Sequence, residues 1–176
     1  KTIAGIATVA MLSAGALLGA HADAQQYPSR PIRAIVPFPP AGPTDEVARL
    51  VAHKLTEAWK QQVVVDNRSG AGGNIGMGIA ANAPADGYTL LFVSSSLMVN
   101  PSLYKKVPYD PYKSFIPISV LAASPHVFFT HPSQPVKSIA DLINEVKKDS
   151  KKYSVASPGI GTVPHLSARP AGLDAT

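Results

Sequence analysis

The 176-residue chain is 45% apolar and 15% charged, with sixteen Lys and Arg against eleven Asp and Glu, and no cysteine. That composition supports a packed core and excludes a disordered chain, a disulfide framework and thiol chemistry. The net charge of +5 comes without aromatic residues alternating with basic ones, which argues against nucleic acid and leaves a mild attraction for anionic solutes.

Residues 1–24 read as an export signal. Lys1 is followed by the uncharged stretch Ile3 to Ala20, and then by Ala22-Asp23-Ala24 before Gln25. A basic start, an apolar middle and a small-x-small site make that pattern. The middle is rich in Ala, Gly and Ser and no basic stop-transfer cluster follows it, which favours cleavage near Ala24 over a membrane anchor. With no initiator Met, a little of the true start is expected to be missing. The product is expected to be soluble and exported, and the charge of +5 survives because Lys1 and Asp23 leave together.

Ile32 to Val36 is short, β-branched and apolar, as a buried strand requires. Pro37 to Pro43 holds four prolines in seven positions. Prolines fix φ and delete donors, so this is a stiff loop and not a sheet interior. A helix follows, with Thr44 expected as N-cap, Asp45 and Glu46 in the first turn, and Val47, Val51, Leu55, Ala58 and Trp59 on one face. A loop over a strand's carboxyl end and a helix's amino end is where open α/β sheets bind small anions.

Val63 to Asp66 is the second strand, followed by a Gly-rich turn, Gly70 to Gly76, and a small-residue helix ending near Asn82. Thr89 to Val93 is the third strand and runs into Ser94-Ser95-Ser96. Strand, helix, strand, helix, strand with short links implies a parallel α/β unit. Tyr104 to Ser114 is an irregular crossing, and Phe115 to Ala122 and Val127 to Thr130 read as two more strands. Ser138 to Asp149 is a helix with a capping box, Ser138-x-x-Asp141, and an apolar face of Ile139, Leu142, Ile143 and Val146. The lysines at 147, 148, 151 and 152 belong to its solvated end. Ser154 to Ala156 is a short strand, and Ser157-Pro-Gly-Ile-Gly-Thr162 leads into a helix at Val163.

No catalytic set occurs in these loops: there is no G-x-S-x-G elbow and no H-E-x-x-H, and His53, His126, His131 and His165 lack metal-ligand spacing. Neither cofactor nor metal is expected. Backbone N–H groups, hydroxyls and helix amino ends suit holding a carboxylate rather than transforming it. A competing reading is a nucleotide-dependent enzyme using Gly70 to Gly76. It is weakened by Asn67-Arg-Ser69 ahead of the first glycine and by the export signal. A non-functional remnant is the third reading.

Several stretches together resemble the Bug receptor family, the periplasmic solute-binding proteins of tripartite tricarboxylate transporters. They are Tyr27-Pro-Ser-Arg-Pro-Ile-Arg33, Val36 to Asp45, Val64 to Gly76, Asp86-Gly-Tyr-Thr-Leu90, Asn100-Pro-Ser-Leu-Tyr104, and Pro158 to Thr162 with His165-Leu166. The resemblance implies an α/β, type II periplasmic-binding-protein fold with two lobes, and no enzyme activity. Residues 25–124 would form the first lobe and 125–176 the start of a second, truncated one. Its ligand would be a small carboxylate or related solute and its partners the membrane components of the transporter, with a monomer expected. Pro39, Pro40, Ala41 and Gly42, with Thr44 and Asp45, would line one wall. Ser157, Gly159, Gly161, Thr162 and His165 would line the other, with Ser94, Ser95 and Ser96 on the floor. Asp45 is read as fixing the loop rather than meeting an anion, and His165 as equally a packing residue. Ala41 stands where the family usually has glycine, which strains the loop if that position needs a positive φ.

Overall fold

A computed structural model describes residues 27–123 and 125–171 of the chain. The expected export signal and its cleavage point lie outside the described residues. Strands β1 (Ile32–Val36), β2 (Val63–Asn67) and β3 (Thr89–Leu91) form one sheet in the order β2-β1-β3. All pairings are parallel, with Ile32 opposite Val63 on one side of β1 and Arg33 opposite Thr89 on the other. Ile32, Ala34, Ile35 and Val36 are fully buried. A central parallel strand is covered on both faces, which is why β1 is an apolar run and not an alternation. The third strand stops at Leu91, two residues short of expectation, although Phe92 still donates its N–H to the Ile35 carbonyl (2.9 Å).

Helix α1 (Pro43–Trp59) packs Ala48 and Ala52 into the core, with Val51, Leu55 and Trp59 beside them. The expected inward Ala58 is exposed. The cap also differs from expectation: Gly42 is the N-cap, Pro43 the first helical residue, and Thr44 lies inside the helix. Proline suits the first position because its φ is already helical and its missing N–H would be unpaired there anyway. It thereby moves the helix start one residue ahead of the threonine. Helices α2 (Asn74–Ala81) and α3 (Ser96–Leu103) follow β2 and β3.

Beyond the irregular segment after Tyr104, the strands expected at Phe115 to Ala122 and Val127 to Thr130 are absent. Their backbone has no ladder partner among the described residues, and an apolar run without a neighbour to pair with is not a strand. Ile116 and Phe129 are each 90% exposed. The strand expected at Ser154 to Ala156 reduces to a single bridge at Val155.

Helix α4 (Ile139–Lys148) starts as expected: the Ser138 hydroxyl accepts the Asp141 N–H at 3.1 Å, and the Asp141 carboxylate accepts the Lys137 N–H at 3.1 Å. Leu142 and Val146 meet Ala168 of the short helix α5 (Val163–Ala168), and Ile139 is left exposed. No helix of the described residues is long and apolar enough to cross a membrane.

Candidate functional site at the strand tips

The motifs in the first part of the chain meet one another in space. Tyr27 donates its hydroxyl to the Gly87 carbonyl (2.7 Å) and lies edge-on to Tyr88 and Trp59. Arg30 pairs with Asp86 at 2.7 Å and stacks over the Tyr88 ring. Arg33 and Arg68 both reach Asp66. These contacts close the amino ends and sides of the sheet, and the carboxyl ends are left to the loops.

At the carboxyl end of β1, Pro37 and Phe38 are buried, whereas Pro39, Pro40 and Ala41 stand exposed and Gly42 half-exposed. Asp45 organises this loop. Its side chain is 2% exposed, and its oxygens accept the Ala41 N–H, the Arg49 Nε–H and the Asn67 Nδ2–H, each at 2.8 Å. The Arg49 guanidinium, helped by Asn67 and the Ala41 amide, outweighs burial and lowers the carboxyl to a pKa of about 2. Ala41 sits at φ 62, the left-handed region where an L side chain is strained. The position does need positive φ, and the Asp45 hydrogen bond to its N–H holds it there. Asp45 is therefore fully engaged within the protein. Thr44, half-buried, and Asp45 are the first α1 residues whose N–H groups have no acceptor in their own helix.

The turn after β2 is used up by packing. Gly72 and Gly73 are buried; a Cβ on Gly72 would lie 2.2 Å from the Ile160 carbonyl oxygen and 2.7 Å from the Tyr104 hydroxyl. Nothing as large as a phosphate fits against that glycine, so the Gly70 to Gly76 turn offers no nucleotide cradle at its centre. After β3, Ser94 and Ser95 are exposed and Ser96 is fully buried, with the Ser94 and Ser96 hydroxyls 2.9 Å apart. In the last loop, Ser157 and Gly159 are half-exposed while Gly161, Thr162 and His165 are buried. Thr162 closes the turn by giving its hydroxyl to the Gly159 carbonyl (2.7 Å), and the Gly161 N–H points to His165 Nδ1 at 3.4 Å. His165 thus supports the turn from below, and His53 lies on the α1 surface.

The structure brings the Ser157–Thr162 loop onto Gly72 and onto α3. The Pro39–Gly42 loop joins the same end of the sheet through Phe38, whose ring would lie 3.4 Å from a Cβ on Gly73, and through Asn67, whose Nδ2–H bonds to the Phe38 carbonyl at 3.1 Å. The glycine turn after β2 thus lies between the two loops expected to face each other. Two residues of this cluster were seen in the sequence only as parts of a motif. Asn100, fully buried, donates Nδ2–H to the Gly72 carbonyl and to Asn74 Oδ1, and Tyr104 donates its hydroxyl to the Ile160 carbonyl. A separate hollow lined by Phe128, His131, Leu142 and Tyr153 contains none of the expected site residues. Among the described residues, no three His, Asp or Glu side chains group as a metal ion would need.

A family model described as tripartite tricarboxylate transporter family receptor matches residues 47–173. Protein BugT of Bordetella pertussis is 40% identical over 163 residues, which are 92% of this chain and 50% of BugT. An R. palustris protein solved with adipate is 34% identical at a TM-score of 0.75, over 85% of this chain and 52% of that one. MatC from Rhodopseudomonas palustris, solved with bound malate, is 27% identical at a TM-score of 0.68, over 85% and 53% of the two chains. The chain thus spans about half the length of these relatives. With a family model matched over most of its length and a parallel α/β fold shared with solved periplasmic binding proteins, the chain belongs to the tripartite tricarboxylate transporter receptor family, of which Bug proteins are members.

Proposed function

We propose that this chain supplies the strand-tip half of a periplasmic receptor that captures a small carboxylate and releases it unchanged to a tripartite tricarboxylate transporter. The observation that carries this reading is the convergence of four loops at the carboxyl end of one parallel sheet. They are Pro37–Gly42, Arg68–Gly73, Ser94–Ser96 and Ser157–Thr162, and the groups they offer are amides and hydroxyls. Such groups hold a carboxylate by directed hydrogen bonds, directly or through water, without reacting with it. The one buried acid nearby, Asp45, is ion-paired with Arg49 and does not leave its charge facing a ligand. In this reading Pro39, Pro40, Ala41, Gly42 and Thr44 form one side, Ser94 and Ser95 the floor, and Ser157 and Gly159 the other side. Ser96, Gly161, Thr162 and His165 act from beneath. The adipate and malate of the two relatives support a dicarboxylate as the first class to test.

The test is calorimetric titration of adipate, malate and monocarboxylates into this chain and into one extended to the relatives' full length, with NAD and ATP as controls. The expected result is saturable heat with at least one carboxylate and none with the nucleotides. No carboxylate binding by the extended chain would remove this reading.

A further inference from the structure

Helix α3 touches two glycine turns at once, one from each part of the chain. Asn100 binds the turn after β2 through the Gly72 carbonyl at 3.0 Å, and fixes itself on Asn74 Oδ1 at 2.8 Å. Tyr104, one helical turn on, gives its hydroxyl to the Ile160 carbonyl at 2.9 Å, across 56 residues of sequence. The two glycine turns meet backbone to backbone: an added Cβ on Gly159 would lie 3.4 Å from the Gly72 Cα. Neither Gly72 nor Gly161 leaves room for a side chain, since a Cβ on Gly161 would stand 2.1 Å from Asn100 Oδ1.

The contact holds opposed contributions. The Tyr104 hydrogen bond favours it. Against it, Asn100 Oδ1 is buried without a hydrogen-bond donor among the described residues, and moving Gly161 aside would let water reach that oxygen. A buried acceptor left unpaired is unfavourable by at least as much as one hydrogen bond is favourable. A contact with contributions opposed in this way is one that a ligand can shift.

We propose that Tyr104 is a positioning residue that latches the Ser157–Thr162 turn onto Gly72, while the unpaired oxygen of Asn100 keeps the latch openable. The part of this proposal that concerns ligand rests on the receptor reading above; the latch itself does not. Amide hydrogen exchange of residues 157–165, measured on the whole chain, tests it. Tyr104→Phe removes the hydroxyl alone and is expected to speed exchange there about 5-fold, with residues 32–36 unchanged. Tyr112→Phe, at an exposed tyrosine, is expected to change nothing. Gly72→Ala is expected to speed exchange at 157–165 by at least as much as Tyr104→Phe. Unchanged exchange at 157–165 in Tyr104→Phe, or an equal rise at 32–36, overturns the latch. Adipate is then added as the probe. Slower exchange at 157–165 in the wild-type chain, and less slowing in Tyr104→Phe, is the result expected if the latch serves the receptor. A Tyr104 effect without an adipate effect keeps the latch and counts against adipate as its ligand. Adipate protection that is identical in both proteins refutes the coupling of the latch to ligand and leaves the receptor reading standing.

Discussion

Residues 27–104 and residues 115–171 bury their apolar side chains very differently. The first region closes a core on itself: β1 is sandwiched between two strands and covered by α1, and Ile32, Ala34, Val36, Phe38, Ala48, Ala52, Val63 and Phe92 are all buried in one cluster. The second buries only Leu142, Val146 and Ala168 as a cluster, while Ile116, Ile118, Val120 and Phe129 are 82–90% exposed. Composition does not explain the contrast, because residues 114–136 contain no Asp, Glu, Lys or Arg at all. Partners do. Helix α4 pairs its backbone within itself, so its cap and the apolar contact of Leu142 and Val146 with Ala168 suffice to place it. A strand needs a neighbour to complete its ladder, and among the described residues the backbone of 115–122 and 127–130 forms none.

The contrast can be broken by mutation. The largest effect is expected from Ile32→Ala, a fully buried β1 side chain, which should lower unfolding free energy by about 3–4 kcal/mol. Val146→Ala in α4 should leave the same transition almost unmoved. Urea unfolding followed through the single tryptophan, Trp59, which packs on the first core, reads both. Equal effects would mean that the two regions unfold as one unit, and the comparison would fail. Asp45→Ala should come next, at about 2–3 kcal/mol, because it leaves the Asn67 side chain and the Ala41 amide without their acceptor, while the half-exposed Arg49 turns to water.

Acid sharpens the same point. The Asp45 carboxyl is lowered from 3.8 to about 2 by Arg49, Asn67 and the Ala41 amide. A lowered acid stabilises the folded state fully above its unfolded value and loses that stabilisation as pH falls through the folded one. Stability of the first region should therefore drop between about pH 4 and pH 2, by up to about 2 kcal/mol. Asp45→Asn should flatten that part of the pH profile, and an unaltered acid limb would show that other groups govern it. Ala41→Gly is expected to raise stability by about 1 kcal/mol by releasing the strain at φ 62. The smallest change is Ser138→Ala, which removes the α4 cap for about 1 kcal/mol. It should speed amide exchange over residues 139–148 without moving the Trp59 transition.

Where the controlling interactions are local, sequence and structure agree residue by residue. β1 runs from Ile32 to Val36 as expected, α2 ends before Asn82, and Ser138 caps α4. The Ala41 problem was visible through the family resemblance, because an alanine where relatives usually have glycine needs no tertiary information to be suspect. Thr44 shows the limit of such reasoning: two local rules competed at one helix start, and proline in the first position prevailed over a hydroxyl cap. The links from Asp45 to Asn67 and from Tyr104 to Ile160 span 22 and 56 residues, and no periodicity encodes a contact of that range. Asn100 and Tyr104 were present in a motif, yet their chemistry emerged only when Gly72 and Gly161 came against them.

By itself, then, the sequence determined helices α1, α2, α4 and α5, the central strand, the stiff proline loop and the kind of groups those loops present, since each follows from neighbours within a few positions. Tertiary structure alone decided which loops touch, that Asp45 is engaged by three partners, and that, among the described residues, 115–122 and 127–130 form no strand. The reason is physical: a turn or a cap is satisfied by the backbone beside it, whereas a strand or a buried polar group is satisfied only by whatever the fold brings next to it.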